Sequence, residues 1–299
     1  MGDRSIGGPS DAAGGTTSWR QLWDETASAV GSRPQARWLC EVASGADGDE
    51  FVAELDAPAT ERMVAHLDAM LARLRAGEPL QYVLGRWAFR HVELMVDRRV
   101  LIPRPETELV VDVALETLGR RSRPLVVADL GTGSGAIGLS LAVELPLDGV
   151  TVWITDVSGE ALDVARANLA GIGRHAANVR VAQGSWFDAL PRELHGGLDL
   201  VVANPPYIAL DDPEVDDAVR EHEPASALFS GAAGLDAIAE IVAQAPRWLR
   251  PGGSLVLEIG HAQADDVGGL LRDGPFDEIG IRRDLAGRDR IASAVSGRA

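Results

Sequence analysis

From Pro124 onward the chain alternates short runs rich in Val, Leu, Ile and Ala with longer helical stretches, and this alternation constrains the fold more than anything else. Strands are expected near 125–130, 150–155, 178–183, 198–203, 253–259, 276–282 and 290–295. Helices are expected near 135–145, 158–171 and 234–250. Strands that are apolar on both faces belong to a parallel sheet covered by helices on each side. The expectation is an α/β fold with a mostly parallel, Rossmann-like seven-stranded sheet whose last two strands form an antiparallel edge hairpin.

The chain ahead of this sheet divides by period. Residues 18–78 read as a small all-α domain, since Trp19, Leu22, Trp23, Thr26, Ala27 and Val30 recur at helical spacing. Met63, His66, Leu67, Met70, Leu71 and Leu74 do the same, and Gly31, Gly45, Gly48, Pro58 and Gly77 punctuate the segment. Residues 79–100 read as a linking β-hairpin, with Tyr82–Gly85 and Val92–Val96 alternating like strands. Residues 101–299 hold the sheet and open on a helix with Pro105 in its first turn and Leu109, Val110, Val113, Ala114 and Leu118 on its buried face. Residues 1–17, rich in Gly, Ser, Asp and Ala, read as a disordered lead-in without the layout of a signal peptide.

Composition excludes several classes. A net charge of −17 argues against direct work on nucleic acid, which needs clustered Lys and Arg, and favours a basic protein partner. The one cysteine, Cys40, rules out an intrachain disulfide and reads as a buried inert thiol in a reducing cytoplasm. His222 and His261 lack ligand spacing, so no metal is expected. No run approaches the roughly 18 apolar residues of a membrane span.

Two turns carry the chemistry. Asp129-Leu130-Gly131-Thr132-Gly133-Ser134-Gly135 follows the first sheet strand, and its glycines let backbone N–H groups approach a ligand at a helix N-terminus. Asp156 lies 21 residues beyond Gly135, where a Rossmann-type fold holds a carboxylate beside ribose hydroxyls. Two acids suit a cationic sulfonium and would repel a pyrophosphate. Trp186 follows the third strand, where its ring can cover adenine or pack in the core. The cofactor candidates read from these segments are the turn Gly131, Thr132, Gly133, Ser134 and Gly135 with Asp156 and Trp186, and S-adenosylmethionine is the expected cofactor.

Asn204-Pro205-Pro206-Tyr207 follows the fourth strand. Pro205 fixes its own φ and holds Asn204 extended, leaving the Asn204 side-chain oxygen and the Pro205 carbonyl as acceptors on a stiff turn. Two acceptors match the two hydrogens of an NH₂ group. An amide nitrogen is a poor nucleophile, as the roughly 18–20 kcal/mol rotation barrier of a peptide bond shows. Fixing the NH₂ aims its lone pair at the methyl carbon. By analogy with oxyanion donors each bond contributes about 3 kcal/mol. Alignment of two substrates contributes about 7–11 kcal/mol, so positioning dominates. Asn204 and Pro205 are the catalytic candidates, and Pro206 and Tyr207 complete the substrate turn, with Tyr207 flat against the acceptor's planar group.

These segments resemble the HemK/PrmC family of protein-(glutamine-N5) methyltransferases, over nearly all of residues 19–295. The markers are Gln81-Tyr82 with Gly85, Leu101-Ile102-Pro103-Arg104-Pro105-Glu106-Thr107-Glu108, the glycine turn, Trp186-Phe187, Asn204 to Ile208, Glu223-Pro224 and Glu258-Ile259-Gly260. The resemblance implies a class I methyltransferase domain behind a helical domain that helps recognise peptide chain release factors. It implies methyl transfer to the glutamine of a Gly-Gly-Gln tip held by Asn204 and the Pro205 carbonyl, with Asn204 near both cofactor and substrate; a cytoplasmic monomer is the separate expectation for the chain. Ser185 stands where the family often has an acid, and Ala233-Gly234-Leu235 where Asp-Gly-Leu is usual.

Three other readings stay open on the residues alone: an amino-methyltransferase for adenine, a dinucleotide oxidoreductase that leaves the proline turn unexplained, and a non-catalytic cofactor binder. The acidic balance counts against the first. Asp211, Asp212, Glu214, Asp216, Asp217, Glu221 and Glu223 read as a solvated loop or as a lip attracting a basic substrate loop. Glu258 reads as a buried acid that holds a neighbour rather than one that catalyses.

Overall fold

The computed structural model describes residues 17–119, 121–213 and 215–297. All of the expected lead-in except Thr17 lies outside the described residues, as does Glu214 of the acidic segment. The chain forms two compact units, one ending at Leu84 and the other beginning at Gly85.

The first unit is helical: α1 (Trp19–Val30), α2 (Arg33–Ser44), α3 (Gly48–Ala53), α4 (Glu61–Arg75) and α5 (Leu80–Leu84). Ser18 starts α1 with a capping box, accepting the Gln21 N–H while the Gln21 side chain accepts the Ser18 N–H. Gly31 and Gly45 end α1 and α2 in the left-handed conformation that glycine adopts without strain. Trp19, Leu39, Phe51, Leu67 and Met70 form the core, with Phe51 edge-on to Trp19 and Trp23.

Tyr82 to Leu84, expected as a strand, is helical instead. The Pro79 carbonyl accepts the N–H groups of both Tyr82 and Val83 at 3.0 Å and so starts a turn. Leu80, Val83 and Leu84 then share one face on the helical core. Four residues are too few for alternation to separate a helical turn from a strand. Gly85, at φ 72°, ends this turn, and the hairpin consists of β1 (Arg86–Phe89) and β2 (Val92–Met95) in antiparallel register.

The second unit continues through a 3-10 turn, Pro105–Thr107, into α6 (Glu108–Leu118). It then runs β3 (Leu125–Leu130), α7 (Ala136–Glu144), β4 (Val150–Asp156), α8 (Gly159–Gly171), β5 (Val179–Gln183) and β6 (Leu198–Ala203). After α9 (Asp217–His222), α10 (Ala225–Leu228) and α11 (Asp236–Trp248) come β7 (Leu249–Glu258), α12 (Ala264–Asp273), β8 (Phe276–Arg283) and β9 (Asp289–Ser296). The sheet order is β5-β4-β3-β6-β7-β9-β8, and only β9 runs against the rest. The expected mixed sheet is present, with β9 inserted between β7 and β8.

Every residue of β6 is buried. Full burial of a Val or Leu side chain contributes roughly 1.5–3 kcal/mol, so this central strand anchors the core. Phe187 stacks on Trp248 at 5.6 Å beneath it. Helix α12 has no counterpart in the sequence reading. It buries Val267 and Leu271, but Gly268 and Gly269 dilute its helical signal. No helix among the described residues is long and apolar enough to cross a membrane.

Candidate active site

Strands β3 and β6 are parallel neighbours with Leu130 opposite Ala203. The glycine turn and the proline turn therefore open side by side at the carboxyl edge of the sheet, where strand order reverses and ligands of such folds bind.

Gly131, Gly133 and Gly135 have φ of 69°, 56° and 89°, the left-handed region that favours glycine. The Gly133 N–H donates to Asp156 Oδ2 at 2.9 Å, and the Ser158 N–H donates to Asp156 Oδ1 at 2.9 Å. Asp156 thus braces the turn from β4 while it also lines the cleft. Asn168 of α8 holds the turn from the other side, donating to the Ser134 carbonyl at 2.8 Å and to that of Met95 at 3.0 Å. In α7, a Cβ on Gly138 would collide with Ile154 and Asp129, so the helix sits hard on the sheet.

Asp129 is fully buried behind the turn, where it accepts from the Thr132 hydroxyl at 2.5 Å and the Gly138 N–H at 2.9 Å. Burial pushes its pKa up to about 7 against the pull of those two donors. Of the two acids expected beside a cationic ligand, Asp156 lines the cleft and Asp129 supports it from behind. Burial also raises the Asp156 pKa, opposed by its backbone N–H partners.

The cleft has a volume of about 320 Å³ and is lined by Gly131, Thr132, Gly133, Ser134, Asp156, Trp186 and Asn204 among others. Gly135 is not in the lining; it is the N-cap of α7, with its N–H on the Thr132 carbonyl at 2.8 Å. Trp186, at φ 42°, sets its ring against Gly131 and donates from Nε1 to Glu240 at 3.2 Å. It packs on the core and borders the cleft at once. Glycines with open backbone, a bracing carboxylate and an aromatic wall fit a nucleoside carrying a cationic group.

A second cavity of about 260 Å³ lies beside the first, and Leu101, Asn204 and Ala227 line both. Pro206 borders the larger, Tyr207 the smaller, and Pro205 is buried. Asn204 Nδ2 donates to the Thr107 hydroxyl at 3.3 Å, and its Oδ1 has no hydrogen-bond partner among the described residues. The Tyr207 hydroxyl donates to Glu258 Oε1 at 3.2 Å, so the ring is tethered at its far end. Burial and that carboxylate raise the Tyr207 pKa and keep it protonated. The Gln263 side chain donates to the Tyr207 carbonyl at 3.0 Å.

Several contributors escape the sequence reading. Glu223 is buried, not part of a solvated acidic loop. It pairs with Arg104 at 2.5 Å and accepts the Ile102 N–H at 3.2 Å, tying the segment before α6 to the wall of the smaller cavity. Arg104 and Glu223 each precede a proline in segments that also mark the resemblance, which was the available signal. Asp216 caps α9 through the Ala218 N–H at 2.9 Å, and Asp212 and Asp216 line the smaller cavity.

Comparison with known proteins agrees with this layout. Residues 109–221 match the methyltransferase small domain and residues 26–85 the PrmC N-terminal domain. A release factor glutamine methyltransferase from Bordetella pertussis is 41% identical over 260 residues, spanning 87% of this chain and 93% of its own. One of the same name from Gloeobacter violaceus is 42% identical over 260 residues, spanning 85% and 87%. The crystal structure of a methyltransferase from Pyrococcus furiosus shares the fold, with a TM-score of 0.50 at 16% identity, covering 77% of this chain and 100% of that one.

Proposed function

The chain belongs to the release factor glutamine methyltransferase family, and from that premise we propose that it methylates the side-chain amide nitrogen of the glutamine in the Gly-Gly-Gln tip of peptide chain release factors. The larger cleft takes S-adenosylmethionine and the smaller cavity takes the glutamine. The observation that carries this reading is Asn204, which borders both cavities with its amide N–H committed to Thr107 and its oxygen without a hydrogen-bond partner among the described residues.

When bound, the cofactor supplies an electrophilic methyl group on a positively charged sulfur. Asp156 holds the ribose hydroxyls, the backbone of Gly131 to Ser134 cradles the remainder, and Trp186 covers the adenine. Asn204 Oδ1 and the Pro205 carbonyl accept the two hydrogens of the glutamine NH₂ and hold its lone pair in line with the methyl carbon. The glutamine nitrogen so held would accept the methyl group that the bound cofactor supplies, the electron pair remaining with the sulfur, and would then release its extra proton to water. No strong base is required. The helical unit and the acidic lip recognise the release factor, and the work belongs in the cytoplasm, where translation terminates.

Radiolabelled cofactor offered with release factor, RNA and DNA tests this directly. Label is expected on one glutamine of the release factor, falling roughly 100- to 1000-fold in Asn204→Ala. Label on adenine, or full turnover by Asn204→Ala, would reject it.

A further inference from the structure

The backbone at Trp186 is held in a conformation that a bulky side chain seldom adopts, with φ at 42°. Such an outlier persists only where its surroundings over-determine it. Here α11 does so at two points. Phe187, fully buried, stacks at 5.6 Å on Trp248, the last residue of that helix. About two helical turns earlier, Glu240 Oε2 accepts the Trp186 Nε1–H at 3.2 Å. Glu240 Oε1 accepts from the Gln244 side chain at 3.1 Å, so both of its oxygens are engaged.

The opposite edge of the indole meets the glycine turn. A Cβ on Gly131 would lie 3.1 Å from Cζ3 of the ring, so the ring rests directly on that backbone. The ring is thus gripped at both ends, by Gly131 on the cofactor turn and by Glu240 on α11. An indole nitrogen only donates, so this position of α11 has to offer it an acceptor. Glu240 is absent from the lining of the larger cleft, whereas Trp186, Gly131 and Asp156 are in it. Its effect on a ligand therefore passes through the plane of the ring.

We infer that Glu240 is a positioning residue for the cofactor: through the indole N–H it sets the angle at which Trp186 covers the adenine. The inference rests on the reading of the larger cleft as the S-adenosylmethionine site, and adds a residue outside that cleft on which its affinity depends. Because the contact concerns the adenosine half, the cofactor and its demethylated product depend on it alike.

Titration calorimetry tests this with S-adenosylmethionine and with its demethylated product, on the intact enzyme and on Glu240→Ala, Glu240→Gln, Trp186→Phe and the double variant of Trp186→Phe with Glu240→Ala. Glu240→Ala is expected to raise both dissociation constants roughly 3- to 10-fold, the scale of one hydrogen bond. Glu240→Gln, which keeps an acceptor without the charge, recovers most of that loss. Phenylalanine has no N–H to give, so Glu240→Ala costs nothing further in the Trp186→Phe background. Glu240→Ala binding as tightly as the wild type overturns the inference. So does Glu240→Gln binding as weakly as Glu240→Ala, the mark of a long-range attraction between charges. Equal losses in both backgrounds overturn it too, by showing that the acid acts apart from the indole. All three leave the cofactor site standing, whereas a wild-type enzyme with no affinity for S-adenosylmethionine overturns both.

Discussion

Gly234 lies against the Tyr207 carbonyl so closely that a Cβ at position 234 would collide with that oxygen. Its φ of 72° is a second reason the position needs glycine. This glycine stands in the Ala233-Gly234-Leu235 segment, outside the proline turn in sequence yet directly behind it in space. Gly234→Ala adds a left-handed penalty of roughly 1–2 kcal/mol to the cost of moving the turn. The variant should melt several degrees lower and lose turnover more than cofactor affinity. Calorimetry and single-turnover labelling check this, and an unshifted melt with full turnover would count against the contact.

Asp156 has both oxygens on backbone donors, Gly133 and Ser158. Asp156→Asn sets an amide NH₂ against one of those N–H groups and removes the charge. Cofactor dissociation constants should rise roughly 10- to 100-fold, the equivalent of losing about 1.5–3 kcal/mol from bonds to a charged acceptor. Maximal turnover at saturating cofactor should fall much less. Titration calorimetry beside saturation kinetics separates the two.

The acids near the smaller cavity should act over distance. Changing Asp211, Asp212, Asp216 and Asp217 together to asparagine keeps a capping side chain at Asp216 and removes four negative charges. Release factor binding should weaken at low salt and converge with the wild type as screening rises. Equal affinity at low salt would assign those acids to solvent alone.

Asp129 gives stability a pH slope with a definite sign. Its folded pKa, near 7, lies above that of the unfolded chain, so the folded state binds the proton more tightly. Stability should therefore fall as pH rises from about 4 to about 7 and level off above that. Buried Glu258, also pushed up to about 7, adds to the same slope. Asp129→Asn should flatten part of it, read as a smaller difference in melting temperature between about pH 5 and about pH 8.

The sheet and both functional turns were legible because each depends on local signals. Apolar runs mark β3 and β6, glycines with positive φ mark one turn, and Asn204-Pro205 marks the other. What escaped was the second layer around them. Glu223 reads as one more acid in an acidic stretch, and only the fold brings it to Arg104. Thr107 and Asn204 are nearly a hundred positions apart, and nothing local to either announces the bond between them. Tyr82 to Leu84 failed for the opposite reason: a signal was present, and it was too short to distinguish two periods.

The placement of β9 has a consequence for synthesis. Because this strand is interleaved between β7 and β8, β8 has no backbone partner in the sheet until residues 289–296 have been made. Arg290, whose charge favours the ionised form of Glu258, arrives on that same strand. A nascent chain halted after α12 would already hold both functional turns, yet lack the cation beside that buried acid. The surroundings of that acid are thus completed by β9, far in sequence from the turns they serve.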